Sequence, residues 1–313
     1  MKEVVLYGAG IRGRKVATVL SEHGIEIAGF CDSTKTGEIA FDVCGKTRIK
    51  PIFPLVSVEN DKYMIIITID DHDQAIKVAE IIKKQKIELI EIEQVLYPKQ
   101  DVINRNREYV ATYHIDVMND YFVEAERKER LEKFWGENSL FRRMFGELNI
   151  KRVVELACGR GRHVPFYIQY AQEILLVDIL QKNIDYCKER FREESKIKYY
   201  INNGYDFGSM RAETYTALFT YDAMVHFEMM DIFQYLKETR RILIKGGRAL
   251  FHHSNNTEDY RITFSTATHG RNYMSKDLFA YMANRAGLKV LEQQVFDWNG
   301  VVNLDCLTLV EKS

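Results

Sequence analysis

The sequence predicts an α/β protein with two doubly wound domains joined by a helical segment. Its 313 residues exceed the roughly 100 to 200 residues of a typical domain. A strand, a glycine turn, a helix and a second strand open the chain at Val4, and the same series starts again at Arg152. Between them, apolar residues recur at helical spacing without strand-like alternation. The predicted domains are therefore 1–98 and 149–313, with a helical connector or lid at 99–148.

The composition is ordinary for a soluble, compactly folded chain, with 46% hydrophobic and 28% charged residues. A net charge of -1 gives no general electrostatic reason to bind nucleic acid, so we expect a small-molecule partner. The five cysteines lack metal-finger spacing and are expected to be reduced thiols. Because the chain has neither a leader-like start nor an uncharged apolar stretch of about 18 residues, we expect a cytoplasmic protein without membrane insertion. A homo-oligomer is one option for its assembly.

The first domain is expected to alternate strands and helices. Continuous apolar runs indicate buried parallel strands, and amphipathic spacing indicates the helices between them. The predicted strands are 4–7, 26–31, 63–69 and 88–92, and the predicted helices are 12–22 and 75–84. The stretch around Gly37 and Gly45 is rich in turn residues and is expected to form turns.

The second domain repeats this pattern over a longer stretch. The predicted strands are 152–157, 173–178, 198–201, 217–221, 248–252, 290–296 and 306–310. One predicted helix ends near 170, and the others are 182–193, 231–243 and 276–286. The last two strands are close enough in sequence to pair antiparallel. Seven strands with interleaved helices indicate one compact α/β sheet.

The segment 121–135 combines many charged residues with apolar residues at helical spacing. Its charge run is interpreted as a solvated helix face rather than a binding patch. An alternative function for its aromatic residues stays open: Tyr121, Phe122 and Trp135 would form part of a lid over the ligand of the second domain.

The first glycine loop has the pattern G-x-G-x-x-G, directly after a strand and before a helix, at Gly8, Gly10 and Gly13. Such glycines permit a tight turn and let backbone N–H groups approach a pyrophosphate, while Asp32 ends the second strand where a ribose hydroxyl would bind. The equal alternative is that the glycines serve helix–strand packing alone. Hydride transfer is not expected, because no substrate domain of that kind follows.

The same stretch resembles the small Rossmann-like domain that is fused to sugar-modifying enzymes. Residues 4–13 and 28–32 carry this resemblance. It implies a second site, for a nucleotide or a sugar nucleotide, at the glycines and the aspartate of the first loop.

The second glycine loop carries a more specific resemblance. The run Glu155-Leu-Ala-Cys-Gly159-Arg-Gly161 resembles the first motif of class I methyltransferases, and Asp178 ends the next strand 17 positions after Gly161. The resemblance implies a seven-stranded class I sheet and S-adenosylmethionine as the cofactor, with Asp178 on the ribose and Asn203 or Asp206 at the adenine. The cofactor-binding residues that it implies are Glu155, Ala157, Gly159, Gly161, Arg162, Asp178, Ile179, Asn203, Gly204, Tyr205, Asp206 and Tyr221.

Catalytic residues are expected just past the carboxyl ends of the strands, where open α/β sheets bind ligands. A hydroxyl acceptor needs its proton removed, and histidine is the usual base near neutral pH. His226 is therefore the preferred base, with a core or capping histidine as the equal alternative. His252 and His253 should point to opposite sides of their strand. The catalytic candidates are His226, Asp222, His252 and Asp305.

No metal is expected. His226, Glu228 and His252 are of metal-binding types, but their spacing fits no known ligand signature. Arg261 and Arg271 could bind a phosphate or a carboxylate of the acceptor.

The runs 251–255 and 271–275 resemble methyltransferases that modify saccharides or secondary metabolites. The leading hypothesis is methyl transfer to a hydroxyl of a small polar acceptor, a sugar or sugar nucleotide in capsule or lipopolysaccharide biosynthesis. The alternatives are methylation of nitrogen or carbon in a natural product, and a protein that senses cofactor and nucleotide without catalysis.

Overall fold

A computed structural model of the protein describes residues 2–118, 121–267 and 269–313. The chain divides into two compact units, Met1–Asn119 and Asp120–Ser313. This division falls inside the segment 99–148 that was predicted as a connector. The first helix of that segment belongs to the first unit, and its remaining helices belong to the second.

The first unit is built on a six-stranded sheet with the order β3-β4-β2-β1-β5-β6. Its strands are β1 (Glu3–Tyr7), β2 (Ile27–Cys31), β3 (Gly37–Val43), β4 (Lys46–Phe53), β5 (Tyr63–Ile67) and β6 (Glu88–Leu89). Its helices are α1 (Ile11–Glu22), α2 (His72–Lys84), α3 (Ile92–Leu96) and α4 (Val102–Asp116), and a short 3-10 turn covers Leu55–Ser57. All pairings are parallel except that of β3 with β4.

Two predictions for this unit were wrong. The stretch around Gly37 and Gly45 forms the hairpin β3–β4, whose turn places Cys44 and Gly45 at positive φ. Strand β3 carries the alternation of a half-buried strand, with Ile39 and Phe41 buried between exposed neighbours, whereas β4 is exposed or half-buried throughout and lacks it. The predicted strand 88–92 ends at Leu89, because Glu91 and Gln94 form a capping box that starts α3.

The second unit is built on a seven-stranded sheet with the order β12-β13-β11-β10-β7-β8-β9. Its strands are β7 (Arg152–Leu156), β8 (Glu173–Asp178), β9 (Ile197–Ile201), β10 (Tyr215–Thr220), β11 (Leu243–Ser254), β12 (Leu288–Trp298) and β13 (Val301–Lys312). Its helices are α5 (Tyr121–Ala125), α6 (Lys128–Trp135), α7 (Leu140–Phe145), α8 (Val164–Tyr167), α9 (Gln181–Arg190), α10 (Met229–Ile242) and α11 (Lys276–Arg285). The prediction of seven strands whose last two pair antiparallel is confirmed.

The strand directions place the carboxyl ends of several strands at one edge of this sheet. Strands β9, β8, β7, β10 and β11 run parallel, and β13 is antiparallel to both β11 and β12. The carboxyl ends of β7, β8, β10, β11 and β12 therefore share one edge, where ligands of open α/β sheets bind. Apolar side chains fill both faces of the sheet. No helix in the described part of the chain is long and apolar enough to cross a membrane.

Candidate functional site

The second glycine loop connects β7 to α8 with an unusual backbone. Ala157, Gly159 and Gly161 have φ values of 56°, 54° and 71°. The left-handed region is easy for glycine but costs a residue with a Cβ roughly 1 to 2 kcal/mol. Ala157 is therefore strained, and such strain is concentrated at functional loops.

The two glycines of this loop face different surroundings. A Cβ on Gly161 would lie 2.6 Å from Cε2 of Phe191, at the end of α9, so Gly161 is needed for packing inside the unit. A Cβ on Gly159 would lie 3.1 Å from Cε1 of Phe122. Gly161 thus has a packing role, and the predicted approach of the cofactor to the backbone of both glycines stays a prediction.

Helix α5 lies over this loop. The Arg160 guanidinium lies 4.4 Å from the ring of Phe122 and 4.7 Å from the ring of Tyr186. Tyr121 hydrogen-bonds Arg162 of the same loop. Tyr121 and Phe122 thus lie where a lid would lie. Trp135 does not, since it is buried in the core and donates its indole N–H to Nδ1 of His163 at 3.0 Å.

Asp178 connects the loop to the carboxyl end of β8. Its Oδ2 accepts from the backbone N–H of Gly159 at 2.9 Å, and its Oδ1 accepts from Leu180 N at 2.9 Å and Asn183 Nδ2 at 3.1 Å. Burial raises the pKa of Asp178 above its usual value, although these donors act in the opposite direction. Ile179 follows it and is half-buried.

Glu155 is a buried acid and the penultimate residue of β7. Tyr167 donates its hydroxyl to Oε2 at 2.6 Å, and Oε1 is buried without a hydrogen-bond partner among the described residues. Burial raises the pKa of Glu155 to about 8. At neutral pH the carboxyl group is therefore mostly protonated.

The segment Asn203–Asp206, beyond the end of β9, is a turn that its own side chains stabilise. Asn203 Oδ1 accepts from the backbone N–H groups of Tyr205 and Asp206, and Asp206 Oδ1 accepts from Gly208 N. Gly204 has a φ of 87°. The predicted adenine contacts of this turn stay a prediction.

A buried ionic network follows the end of β10. Asp222, itself at a φ of 55°, lies 3.1 Å from Arg162 and 4.0 Å from Arg271. Arg271 also holds Asp305 through two bonds of 2.9 and 2.7 Å. Two guanidinium groups thus balance two carboxylates, as burial requires. The expectation that Arg271 binds the acceptor is wrong, because Asp305 engages it in the core.

These partners also set the acidity of the two aspartates. Burial acts to raise the pKa of Asp222, but Arg162 and Arg271 outweigh it and hold that pKa below its usual value. Burial opposes His252 and Arg271 at Asp305 as well, and the net effect lowers the pKa of Asp305 to about 2. Both carboxylates are ionised at neutral pH and are weak bases.

His252 has both ring nitrogens engaged. Nδ1 accepts from the backbone N–H of Asp222 at 3.0 Å, so Nε2 carries the proton and donates to Asp305 at 2.9 Å. The ring is fully buried. His252 therefore positions Asp222 and Asp305 rather than serving as a base, which corrects its place among the catalytic candidates. His253 lies on the opposite side of β11, as predicted, where it stacks on Phe279 at 3.9 Å.

His226 ends a short 3-10 turn, Met224–His226, after β10. Its Nδ1 forms a short hydrogen bond with the carbonyl oxygen of Gly270, and Phe264 meets its ring edge-on at 5.2 Å. The carbonyl accepts, so Nδ1 carries the proton and the lone pair of the neutral ring is on Nε2. The side chain is half-buried. Arg261, by contrast, is exposed and pairs with Asp259.

One pocket of the second unit was missed by the sequence analysis. It lies between α6 and the β12–β13 hairpin, and Tyr221 connects it to the network around Asp222. We call it the aromatic pocket and define it by Arg130, Lys133, Phe134, Tyr221, Phe296 and Trp298. These residues are far apart in sequence, so no local motif indicates the pocket.

The described residues contain no group of three or more His, Cys, Asp or Glu side chains arranged to hold a metal ion. His226 and His252 have the separate partners given above.

The first glycine loop has its own geometry, within the first unit. A Cβ on Gly13 would lie 1.9 Å from the carbonyl oxygen of Gly8, and one on Gly8 would lie 3.0 Å from Thr68 Oγ1, so both glycines are needed for packing. A Cβ on Gly10 would meet no described atom within 4 Å. Asp32 Oδ2 accepts from the backbone N–H of Ala9 at 2.8 Å.

Comparison with known proteins places the second unit among methyltransferase folds. Residues 154–251 match the family described as Methyltransferase domain. No curated protein matches the chain. The geranyl diphosphate C-methyltransferase structure from Streptomyces coelicolor A3(2) is similar at 14% identity with a TM-score of 0.51, covering 68% of this chain and 100% of that chain.

Two further solved structures are similar. A protein from Pyrococcus horikoshii OT3 has 17% identity and a TM-score of 0.47, covering 66% of this chain and 98% of that chain. An S-adenosylmethionine dependent methyltransferase from Mesorhizobium loti has 13% identity and a TM-score of 0.46, covering 55% and 97%. Structural likeness at such identities concerns the fold alone. The family match supports a methyltransferase and indicates S-adenosylmethionine as its cofactor, which confirms the predicted cofactor.

Proposed function

We propose that the protein transfers the methyl group of S-adenosylmethionine to a hydroxyl of a small polar acceptor, a sugar or sugar nucleotide used in cell-surface glycan biosynthesis. The orientation of His226 carries this proposal. Its Nδ1 is directed at the Gly270 carbonyl, so Nε2 holds the basic lone pair. A hydroxyl must lose its proton as it attacks, and a positioned histidine suits that task.

The residues around the second glycine loop fit this cofactor. The buried Oε1 of Glu155 meets no described hydrogen-bond partner, and the Asp178 carboxylate stands at the neighbouring strand end. When bound, S-adenosylmethionine supplies an electrophilic methyl group. We expect Asp178 to bind the ribose hydroxyls and the turn Asn203–Asp206 to bind the adenine. The backbone at Ala157 and Gly159 would lie along the methionine part.

The ionic network has a positioning role in this proposal. Asp222 follows β10 directly, and His252 accepts from its backbone N–H. Asp305 holds His252, and Arg271 lies beside both Asp305 and Asp222. The network would thereby hold the end of β10 still while the acceptor is aligned for an in-line displacement.

Substitution of the proposed base tests the proposal. His226→Gln should lower turnover at least about 100-fold with sugar and nucleotide-sugar acceptors, because general base catalysis contributes that much or more. Transfer of a labelled methyl group measures turnover, and calorimetry with S-adenosylmethionine should give an unchanged Kd. His23→Gln, in the first unit, is the matched control. Unchanged turnover in His226→Gln contradicts the base assignment.

A second candidate function is methyl transfer to carbon or nitrogen of a less polar acceptor. The aromatic lining of the pocket, Phe134, Tyr221, Phe296 and Trp298, favours it. Such an acceptor would leave His226→Gln with most of its turnover. A cofactor sensor without catalysis would bind S-adenosylmethionine but methylate nothing in an acceptor panel.

For the first unit we propose binding of a nucleotide or sugar nucleotide at Gly10 and Asp32, with Gly8 and Gly13 shaping the loop. The open space in front of Gly10 supports this, since Gly10 itself has no packing need for glycine. Gly10→Val should abolish nucleotide-sugar binding to this unit in calorimetry while the melting temperature stays within about 2 °C. Binding that survives Gly10→Val rejects this site.

A further inference from the structure

The floor of the aromatic pocket is a set of packed rings. Phe134 stacks parallel to Trp298 with ring centroids 6.0 Å apart, and it meets Tyr221 at 4.8 Å. Phe134 and Tyr221 are buried, whereas Trp298 is half-exposed. Such surfaces hold flat or apolar parts of ligands by stacking.

The lining of the pocket carries two cations, Arg130 and Lys133, and one acid, Asp297. Arg130 and Lys133 are three positions apart on α6, so they lie on one face of that helix. Both are exposed, and within the described residues neither is in ion-pair distance of a carboxylate. Other arginines of the site are already engaged: Arg162 pairs with Asp222, and Arg271 pairs with Asp305. Arg130 and Lys133 are thus the rim cations that remain open to an anion.

The pocket is also joined to the methyl-transfer region. Tyr221 lines the pocket and directly precedes Asp222 at the carboxyl end of β10. The guanidinium groups of the buried network lie against the rings of the pocket, with Arg162 at 5.7 Å from the Phe134 ring and Arg271 at 5.3 Å from the Trp298 ring. A ligand on the aromatic floor would therefore lie beside the residues that hold the end of β10.

We infer that the aromatic pocket binds the methyl acceptor and that Arg130 and Lys133 bind a phosphate group of this acceptor. The inference rests on the proposed methyl-transfer function and narrows its substrate class to organic phosphates. A phosphate suits the rim, because arginine and lysine pair strongly with it. The ring or chain attached to the phosphate would lie on Phe134, Tyr221 and Trp298. The charge run of α6 then includes a binding pair and is not only a solvated face.

Fluorescence of Trp298 reports binding without any methyl transfer. The chain has two tryptophans, so Trp135→Phe leaves Trp298 as the only one. The probes are UDP-glucose, GDP-mannose, glucose 1-phosphate, geranyl diphosphate and the uncharged methyl α-glucoside. We expect at least one phosphate-bearing probe to change the fluorescence, and methyl α-glucoside to bind at least tenfold more weakly. Because Trp135 is buried, the melting temperature of Gly10→Val is measured with the same probes as a second readout, since this variant keeps Trp135 and lacks the proposed nucleotide-sugar site of the first unit.

Charge variants test the two cations. Arg130→Gln and Lys133→Gln should each weaken the best phosphate probe about fivefold to tenfold, and higher salt should weaken it further. Lys128→Gln, an exposed lysine of the same helix outside the pocket lining, should change the Kd less than twofold. Equal effects of all three substitutions overturn the inference, and so does a panel in which no phosphate-bearing probe binds by either readout.

The panel separates this inference from the proposed function. Binding of geranyl diphosphate but of no glycosyl phosphate supports the phosphate site and rejects the saccharide acceptor. If Arg130→Gln and Lys133→Gln leave the Kd of a glycosyl phosphate unchanged, the phosphate site is rejected. The proposal of a saccharide acceptor is then unaffected.

Discussion

The two glycine loops of this protein share one local design. Each follows the first strand of its unit, and in each an aspartate at the end of the second strand accepts a hydrogen bond from the backbone of the loop. Ala9 donates to Asp32 at 2.8 Å, and Gly159 donates to Asp178 at 2.9 Å. Close approach of loop and neighbouring strand is therefore common to both units.

The surroundings of these two aspartates shift their pKa values in opposite directions. Several donors, including Thr34, lower the pKa of Asp32 despite its partial burial, whereas deeper burial raises the pKa of Asp178. The first loop has the fuller glycine pattern, yet Gly8 and Gly13 serve packing. The second loop adds a buried acid, Glu155, with an unmet oxygen. A glycine motif thus reports backbone geometry, and the groups around it decide which ligand fits.

The largest expected effect comes from filling a packing glycine of the first loop. Gly13→Ala should destabilise the first unit by about 3 kcal/mol or more, since the new Cβ would lie 1.9 Å from a carbonyl oxygen that cannot move aside. Gly10→Ala is the matched control, with an expected loss below about 1 kcal/mol. Urea unfolding of the full chain measures both. Similar losses for the two variants would show that the loop is not held by packing.

The buried acid of the second loop should give that unit a distinctive pH dependence. Glu155 has a folded pKa of about 8 and an ordinary unfolded value near 4.3, so the folded state keeps a proton that the unfolded state loses. Its stabilising effect is complete below the unfolded pKa and is lost as the pH rises to the folded one. Glu155→Gln should therefore gain about 2 kcal/mol relative to the natural protein between pH 6 and pH 8.

Unfolding of both proteins across this pH range checks the prediction for Glu155. Tyr167→Phe, which removes the hydroxyl donor to Glu155 but keeps the carboxyl group, is the control and should retain the downward slope. Parallel stability curves for the natural protein and Glu155→Gln would mean that the acid is ionised in the folded state.

Exchanging each aspartate for asparagine contrasts the two loops directly. Asp178→Asn should weaken S-adenosylmethionine binding about tenfold or more, because hydrogen bonds to a charged group contribute about 1.5 to 3 kcal/mol. Asp32→Asn should leave that affinity unchanged. Calorimetric titration of the full chain measures both Kd values. An equal loss of S-adenosylmethionine affinity in Asp32→Asn would show that the cofactor does not depend on the second loop alone.

The smallest expected effect concerns the strained residue of the second loop. Ala157→Gly should stabilise the unit by roughly 0.5 kcal/mol, because relief of the left-handed strain exceeds the added entropy of glycine in the unfolded chain. Thermal unfolding measures this change. A loss of stability of about 1 kcal/mol, as expected for an alanine-to-glycine change at an unstrained position, would show that Ala157 carries no strain.

Local patterns were enough to predict much of the fold. The strand β8 was predicted with its observed bounds, 173–178, since a continuous apolar run ends there at an acidic residue. The aspartate at its end, Asp178, lies next to the second glycine loop in the structure. The hairpin β3–β4 was missed although Ile39 and Phe41 alternate with exposed residues in β3, because the turn residues around Gly37 and Gly45 indicated turns alone. The cofactor could be predicted from local sequence as well, since the residues from Glu155 to Gly161 that indicate it form one contiguous run.

The sequence by itself determined that Asp178 and Asp222 lie at or just past the carboxyl ends of their strands, and hence that these polar groups reach the ligand edge of the sheet. Only the tertiary structure decided what those groups do there. Asp305 lies 34 positions from Arg271 and 53 from His252, yet it engages both and removes them from the list of acceptor ligands and bases. Strand ends follow from short-range periodicity, whereas hydrogen-bond partners depend on which distant segments the fold brings within about 3 Å of each other.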